Sequence, residues 1–223
     1  RCNSCIYSNF LKIVVVFYSD LGYNIVMKEH IVNKENIFVM GWYIDPALCD
    51  MLIEYYNFNP HKWEDGVTKS GDVDHSIKHS TDLHLNIDEL MQMQYANALQ
   101  ECVALYMEKW KTSGMTGVLP VEGMNIQKYP AGGGFKTWHF ERSKASGPNC
   151  NRHLVFMTYL NDVAEGGGTE FAHQREVRGT TALKAEKGLT VIWPADWTHT
   201  HRGIVAPNEE KIIATGWLHL TEK

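Results

Sequence analysis

The second half of the chain is divided into short runs of β-forming residues by glycine and proline, and this texture restricts the fold more than any other feature. Many short strands at regular spacing, with turn residues between them, are typical of a β-sandwich or a jelly roll. From residue 118 onward we predict about eight strands, at Val118–Leu119, Ile126–Tyr129, Thr137–Glu141, His153–Leu160, Thr169–Phe171, Gly188–Trp193, His199–Val205 and Lys211–Leu220.

Helical patterns precede these strands. After a short apolar segment at 37–43, Asp45 and Pro46 suit the N-cap and first position of a helix. A polar loop is predicted at 57–80, and apolar residues at helical spacing predict one long helix over 87–112. Helices first and strands afterwards indicate an α+β fold in which the helices pack on one sheet.

With 223 residues, the chain has the length of one domain. We expect a single domain over residues 27–223, made of a helical lead-in at 27–117 and a β-rich core at 118–223. Met27 opens a stretch that resembles a native start. We therefore predict that residues 1–26 are an extension that is dispensable for chemistry.

The net charge and the cysteine content limit which binding partners and which cell compartment we expect. The net charge of −5 and the lack of a basic run give no reason to expect a nucleic acid. The apolar run Leu11–Tyr18 is far shorter than the ~20 residues that span a bilayer, so no membrane is expected. Five scattered cysteines are a poor disulfide framework and predict a reducing compartment, which we take to be the cytoplasm. The Cys2-x-x-Cys5 motif has the spacing of half a zinc site, but the sequence has no second CxxC pair to complete it.

A candidate metal site begins with His139 and Glu141. In the strand predicted there, residues two apart point to the same face. With a second imidazole from a distant strand they would form a 2-His-1-carboxylate facial triad, which suits non-haem Fe(II). The motif alone is weak, because 11 histidines and 26 acidic residues make a chance His-x-Glu common. His199 and His201 are both candidates for the third ligand, and strand periodicity does not choose between them.

Lys211 is the candidate for a second feature of this site. It opens the apolar run that ends at Trp217, and a cation buried in such a run is costly without an anionic partner. The alternative is an edge lysine whose ammonium group reaches water.

Five motifs then follow one another from about Asn125 to Leu220. They are Lys128–Gly134, the His139/Glu141 pair, Thr158–Asp162, Glu165–Phe171, and the segment from Trp193-Pro194 through His201-Arg202-Gly203 to Trp217. In this order they resemble the 2-oxoglutarate/Fe(II)-dependent dioxygenases of the prolyl 4-hydroxylase type. The resemblance implies a double-stranded β-helix (jelly roll), with Fe(II), 2-oxoglutarate and O2 as cofactor and cosubstrates, and leaves room for ascorbate.

The resemblance also assigns residues. His139, Glu141 and a distal histidine would hold the iron. In this family the basic residue that binds the far carboxylate of 2-oxoglutarate lies nine or ten positions after that histidine. Lys211 lies ten after His201 and twelve after His199, so His201 is the expected ligand.

Three further positions match the family. Tyr159 would help Lys211 to hold the carboxylate, Tyr129 would line the cosubstrate pocket, and Arg152 would face the substrate. The sequence departs from the family at Glu141, because prolyl hydroxylases usually carry aspartate at this position, as His-x-Asp. The longer glutamate leaves the placement of the substrate open. We expect a hydroxylase of prolyl residues in a protein or peptide, with a hydroxylase of a free amino acid or small molecule as one alternative. A metal-binding β-fold module without turnover is the other.

Overall fold

The computed structural model describes residues 28–30, 38–68, 70–114, 117–143, 146–172 and 180–221. The expectations for residues 1–26, for Met27 and for the Cys2/Cys5 pair lie outside these residues.

The described strands are all paired antiparallel and form one large and two small sheets. The large sheet has eight strands in the order β1-β2-β11-β8-β13-β6-β5-β3, and the small sheets are β10-β9-β12 and β4-β7. The bounds are β1 Glu29–His30, β2 Met40–Tyr43, β3 Trp63–Asp65, β4 Lys78–His79, β5 Thr81–Leu85, β6 Gly117–Tyr129, β7 Gly134–Phe135, β8 Arg152–Tyr159, β9 Thr169–Ala172, β10 Thr180–Leu183, β11 Leu189–Pro194, β12 His201–Gly203 and β13 Lys211–Thr221.

The described helices come early in the chain, as predicted. Helix α1 spans Pro46–Phe58, and the Asp45 side chain accepts a hydrogen bond from the backbone N of Ala47 at its start. The single helix predicted over 87–112 is wrong. The chain forms α2 at Ile87–Met91 and α3 at Gln94–Lys109. The cause is local, because an Asn86/Glu89 capping box starts α2 and the chain then breaks at Gln92 and Met93 before α3 begins.

The two faces of the large sheet have different roles. Side chains alternate along β13, so one face packs on the helices and the other lines a cavity. Ile212, Ala214 and Leu218 join the cluster that contains helix residues such as Leu52 and Leu99. Lys211, Ile213, Thr215 and Trp217 lie on the cavity side. The α+β jelly-roll arrangement with helices on one sheet is therefore confirmed.

Several strand predictions need correction. The two strands predicted at Val118–Leu119 and Ile126–Tyr129 are one long strand, β6, because it pairs with β13 over most of its length. The polar loop at 57–80 contains the short strands β3 and β4, whose partners β5 and β7 lie far enough along the chain to escape local pattern analysis. Strand β10 was not predicted.

Two predicted strands around the site are also wrong in detail. Thr137–Glu141 is not a strand, and only a single bridge joins His139 to His201 there. The predicted strand His199–Val205 is a 3-10 turn at Trp197–His199 followed by β12. Side-chain direction in this region therefore follows irregular backbone and not strand alternation.

Two remaining expectations concern compartment and organisation. Among the residues described, no helix is long and apolar enough to cross a bilayer. In the described part of the chain, Cys49, Cys102 and Cys150 form no disulfide bond. The cytoplasmic location and the single domain over 27–223 stay predictions.

Candidate metal centre and cosubstrate cavity

Three side chains from distant parts of the sequence meet at one point. The ligand atoms of His139, Glu141 and His201 all lie within 4.8 Å of one another. His139 Nε2 is 3.4 Å and His201 Nε2 is 3.6 Å from Glu141 Oε1. Reciprocal backbone hydrogen bonds of 2.9 Å between His139 and His201 fix the two imidazoles side by side. The Glu141 backbone is held by a 3.1 Å bond to the Ala195 carbonyl.

The imidazoles are oriented through their Nδ1 atoms. His139 Nδ1 is 2.8 Å from the Thr137 carbonyl oxygen, and His201 Nδ1 is 2.9 Å from that of His199. A carbonyl oxygen only accepts, so each Nδ1 carries the proton. In a neutral imidazole the Nε2 atom then presents a lone pair, and here both Nε2 atoms face a carboxylate oxygen. This tautomer and this kind of outer partner are usual for histidines that bind metals.

The protonation states fit a divalent metal. Burial raises the pKa of Glu141, but the influence of the two neighbouring imidazoles outweighs burial and holds the pKa well below its ordinary value. Burial, and then repulsion from His139, lower the pKa of His201. At neutral pH an ionised carboxylate therefore meets a neutral imidazole. Two nitrogens and one oxygen from one side form the donor set that non-haem Fe(II) takes, so these residues fit the metal.

His199 lies apart from this cluster. Its side chain is buried and its ring centroid is 6.1 Å from that of Phe38. Burial lowers its pKa to about 4. Its contribution to the cluster is the backbone carbonyl that orients His201. Of the two histidines between which strand periodicity did not choose, His201 is the one that lies with His139 and Glu141.

A cavity of about 380 Å³ opens beside the three side chains, within the size range of small-molecule sites. Lys211 lines it and is 4% exposed. Among the described residues no acidic partner reaches its ammonium group, which lies 4.7 Å from the centre of the Tyr129 ring. Burial lowers the pKa of Lys211 to about 8. A buried cation facing a cavity is suited to an anion that enters from solvent.

The two predicted tyrosines differ in position. Tyr129 lines the cavity, and its hydroxyl donates to Gln127 Oε1 at 2.7 Å. Burial raises its pKa well above the ordinary value, so the phenol is neutral. Tyr159 is not among the lining residues. Its hydroxyl donates to the Thr169 hydroxyl at 2.7 Å, and Thr169 lines the cavity in its place.

Arg152 also lines the cavity, but both edges of its guanidinium group are already occupied. Nη1 donates to Glu141 Oε2 at 3.2 Å, while Nε and Nη2 donate to the carboxylate of Glu122 at 2.7 and 2.5 Å. Glu122 in turn lies 2.5 Å from His219 Nε2. Sequence reasoning missed Glu122 and His219, because these residues meet Arg152 across three strands and carry no motif.

The comparisons with known proteins agree with this geometry. Residues 124–219 match the model of the 2OG-Fe(II) oxygenase superfamily. The matched part of the chain contains His139, Glu141, His201 and Lys211. No curated protein matches the sequence. Members of this superfamily use Fe(II), 2-oxoglutarate and O2.

Solved structures of similar fold include three prolyl hydroxylases. A prolyl-4-hydroxylase from Pseudomonas putida is 12% identical, with a TM-score of 0.60, over 94% of this chain and 98% of that one. A viral collagen prolyl hydroxylase from Paramecium Bursaria Chlorella virus-1, in complex with 2OG, is 17% identical, with a TM-score of 0.57 over 82% and 97%. A prolyl hydroxylase from Trichoplax adhaerens, bound to a peptide fragment of the hypoxia inducible factor oxygen degradation domain, is 14% identical, with a TM-score of 0.63 over 98% and 94%. At these identities the likeness establishes the fold.

Proposed function

We propose that this chain is a 2OG-Fe(II) oxygenase that hydroxylates prolyl residues in a protein or peptide. His139, Glu141 and His201 would hold Fe(II), and Lys211 would bind the far carboxylate of 2-oxoglutarate. The observation that carries the proposal is that two features share one cavity: three side chains that could hold a metal ion, and a buried ammonium group that no acidic side chain reaches in the described part of the chain.

Bound Fe(II) and 2-oxoglutarate supply the oxidative chemistry, in which one oxygen atom of O2 goes to succinate and the other to the substrate. The residues of the chain would bind and orient the metal and the cosubstrate, and they would exclude water from the cavity. The carbonyls of Thr137 and His199 hold the imidazole tautomers, and Lys211 would form a charge-assisted bond with the cosubstrate. Tyr129 would pack beside that bond as a neutral phenol.

A polypeptide substrate is supported by the shape of the cavity and by the relatives. The cavity reaches the surface beside β3, where Glu64, Asp65 and Val67 are exposed, so a segment of chain can lie across the opening. The relatives of similar fold are prolyl hydroxylases, and one of them is bound to a peptide.

Succinate release is the direct test. Protein, Fe(II) and 2-oxoglutarate would be incubated with a proline-rich peptide, with the same peptide carrying alanine for proline, and with free proline. We expect stimulation by the first peptide alone, with a mass gain of one oxygen on proline. Turnover stimulated by free proline would reassign the enzyme to small molecules, and no succinate under any condition would contradict catalysis. His201→Ala serves as the inactive control.

A further inference from the structure

The carboxylate ligand of the metal centre is supported from behind by a chain of charged side chains. Oε1 of Glu141 faces the two imidazoles, whereas Oε2 accepts the 3.2 Å bond from Arg152 Nη1. Arg152 is 8% exposed, and its guanidinium carbon lies 3.4 Å from the centre of the Trp217 ring. The oxygen that does not face the imidazoles is therefore held by a group that is itself fixed.

The support of Arg152 comes from Glu122. The two form a fork-to-fork pair, with both oxygens of Glu122 engaged at 2.7 and 2.5 Å, a geometry that fixes orientation as well as charge. His219 Nε2 reaches the same carboxylate at 2.5 Å. Burial raises the pKa of Glu122, but the bonds from Arg152 and His219 outweigh burial and bring the pKa down to about 2.

Irregular pairing in the sheet brings these groups to the cavity face. Strict alternation along β8 would put Arg152 with Leu154, on the helix side. The register between β8 and β13 shifts between Leu218 and His219, and such a bulge re-aims a side chain. The register between β6 and β13 also shifts, around Glu122, where Gly123 has φ +78°.

We propose that Arg152, held by Glu122 and His219, positions the Glu141 carboxylate for the metal. A glutamate has one more rotatable bond than an aspartate, so its two oxygens need an external constraint to keep Oε1 aimed at the imidazoles. The bond from Arg152 Nη1 to Oε2 supplies it, while the fork to Glu122 holds Arg152 in place. Arg152 is a positioning residue here, and this inference rests on the proposed metal site.

Cobalt(II) binding tests the inference without turnover. Affinity would be measured by calorimetric titration of the full chain, and the visible spectrum of bound cobalt(II) would report the ligand geometry. Because loss of an outer partner of a metal ligand typically costs 10–100-fold in metal affinity, we expect Arg152→Met to bind about 10–100-fold more weakly and to change the spectrum. Glu122→Gln does not touch Glu141, yet it should weaken binding and change the spectrum in the same direction.

A matched control and a double variant complete the design. The side chain of Arg142 forms a similar fork with Asp196, at 2.8 and 2.7 Å, and its guanidinium group has no hydrogen bond to Glu141 among the described contacts. Arg142→Met should stay within about two-fold of wild type, because a partly exposed ion pair contributes little. Glu122→Gln should add almost nothing to Arg152→Met, because both act through one contact.

The outcomes separate the two proposals. Wild-type protein that binds no cobalt(II) would overturn the metal site itself. Wild-type affinity and spectrum in folded Arg152→Met would overturn only the positioning role. If Arg152→Met does not fold, Arg152→Lys and Glu122→Gln decide: the lysine keeps the charge but cannot bridge both carboxylates, so unchanged spectra in both variants would overturn the inference.

Discussion

Replacing Lys211 by methionine should make the protein more stable while it removes cosubstrate binding. The ammonium group is buried without an acidic partner among the described residues, and burial lowers its pKa from 10.5 to about 8. One pKa unit corresponds to about 1.4 kcal/mol, so keeping this lysine charged at pH 7 costs about 3 kcal/mol of folding free energy. Methionine keeps the length of the side chain and removes the charge.

The expected gain can be measured by thermal unfolding of the metal-free protein. For a chain of this size, about 3 kcal/mol corresponds to roughly 6–12 °C in Tm. The folded pKa lies below the unfolded one, so the cost is complete below pH 8 and disappears as the pH rises from about 8 to 10.5. The difference in Tm between Lys211→Met and wild type should therefore be largest near pH 7 and shrink toward pH 10.

Although Lys211→Met should raise Tm, it should weaken the binding of 2-oxoglutarate, measured by calorimetry with anaerobic Fe(II). Wild-type affinity should fall as the pH rises through about 8, because the neutral amine no longer attracts the carboxylate, and Lys211→Met should be weak at every pH. Lys128→Met is the matched control, since Lys128 is paired with Glu210 at 2.9 Å outside the cavity. A variant with a lower Tm at pH 7, or with wild-type affinity for 2-oxoglutarate, would refute the reasoning.

Three further predictions concern the metal centre and its support. His201→Ala should abolish Fe(II) binding in an equilibrium assay, whereas His199→Ala should bind it, because the backbone carbonyl that orients His201 remains; equal losses would contradict the assignment. Glu141→Ala should lose Fe(II) and succinate release together, and retention of either would count against its role as ligand. Gly123→Ala should lower Tm, because a Cβ there would meet the Leu85 carbonyl oxygen at 2.1 Å at a positive φ; an unchanged Tm would show that the bulge is not needed.

Local signals in the sequence were enough to predict those parts of the fold that are decided by residues close together in the chain. Asp45 and Pro46 predict the start of α1 because capping is decided within one turn. Lys211 was singled out because it opens an apolar run, and it is the first residue of β13. The same logic failed at 87–112, where the apolar spacing continues through Gln92 and Met93 although the hydrogen-bonded helix does not.

The metal centre was predicted for a reason that only partly holds. His139 and Glu141 were expected to share a face because residues two apart do so on a strand, but the segment is irregular and contributes a single bridge. What aligns them is non-local: the backbone of His201 holds one residue, and the carbonyl of Ala195 holds the other. Such contacts leave no periodic trace, so residue types and spacing could indicate the ligands without indicating how they are held.

The support behind Glu141 was beyond sequence analysis for the same physical reason. Alternation along β8 places Arg152 on the wrong face, and only a bulge in its pairing with β13 corrects this. A bulge depends on how two strands match over their whole length. Glu122 and His219 belong to no sequence motif. Their role in holding Arg152 is visible only once the shifted register brings the three side chains together.

The cavity as a whole combines two charged features of opposite sign. On one side, two Nε2 lone pairs and a carboxylate face one another; on the other, an ammonium group is buried with no acidic partner among the described residues. These charges are not placed to neutralise each other, because Glu141 is engaged by Arg152 and the imidazoles while Lys211 lies over Tyr129. The triad suits a divalent cation, and the buried ammonium group suits the carboxylate of an anionic cosubstrate. Natural proteins are rarely at their stability optimum, and functional sites often carry a stability cost. The position of both features in one cavity therefore supports the proposal that the two ligands are bound together.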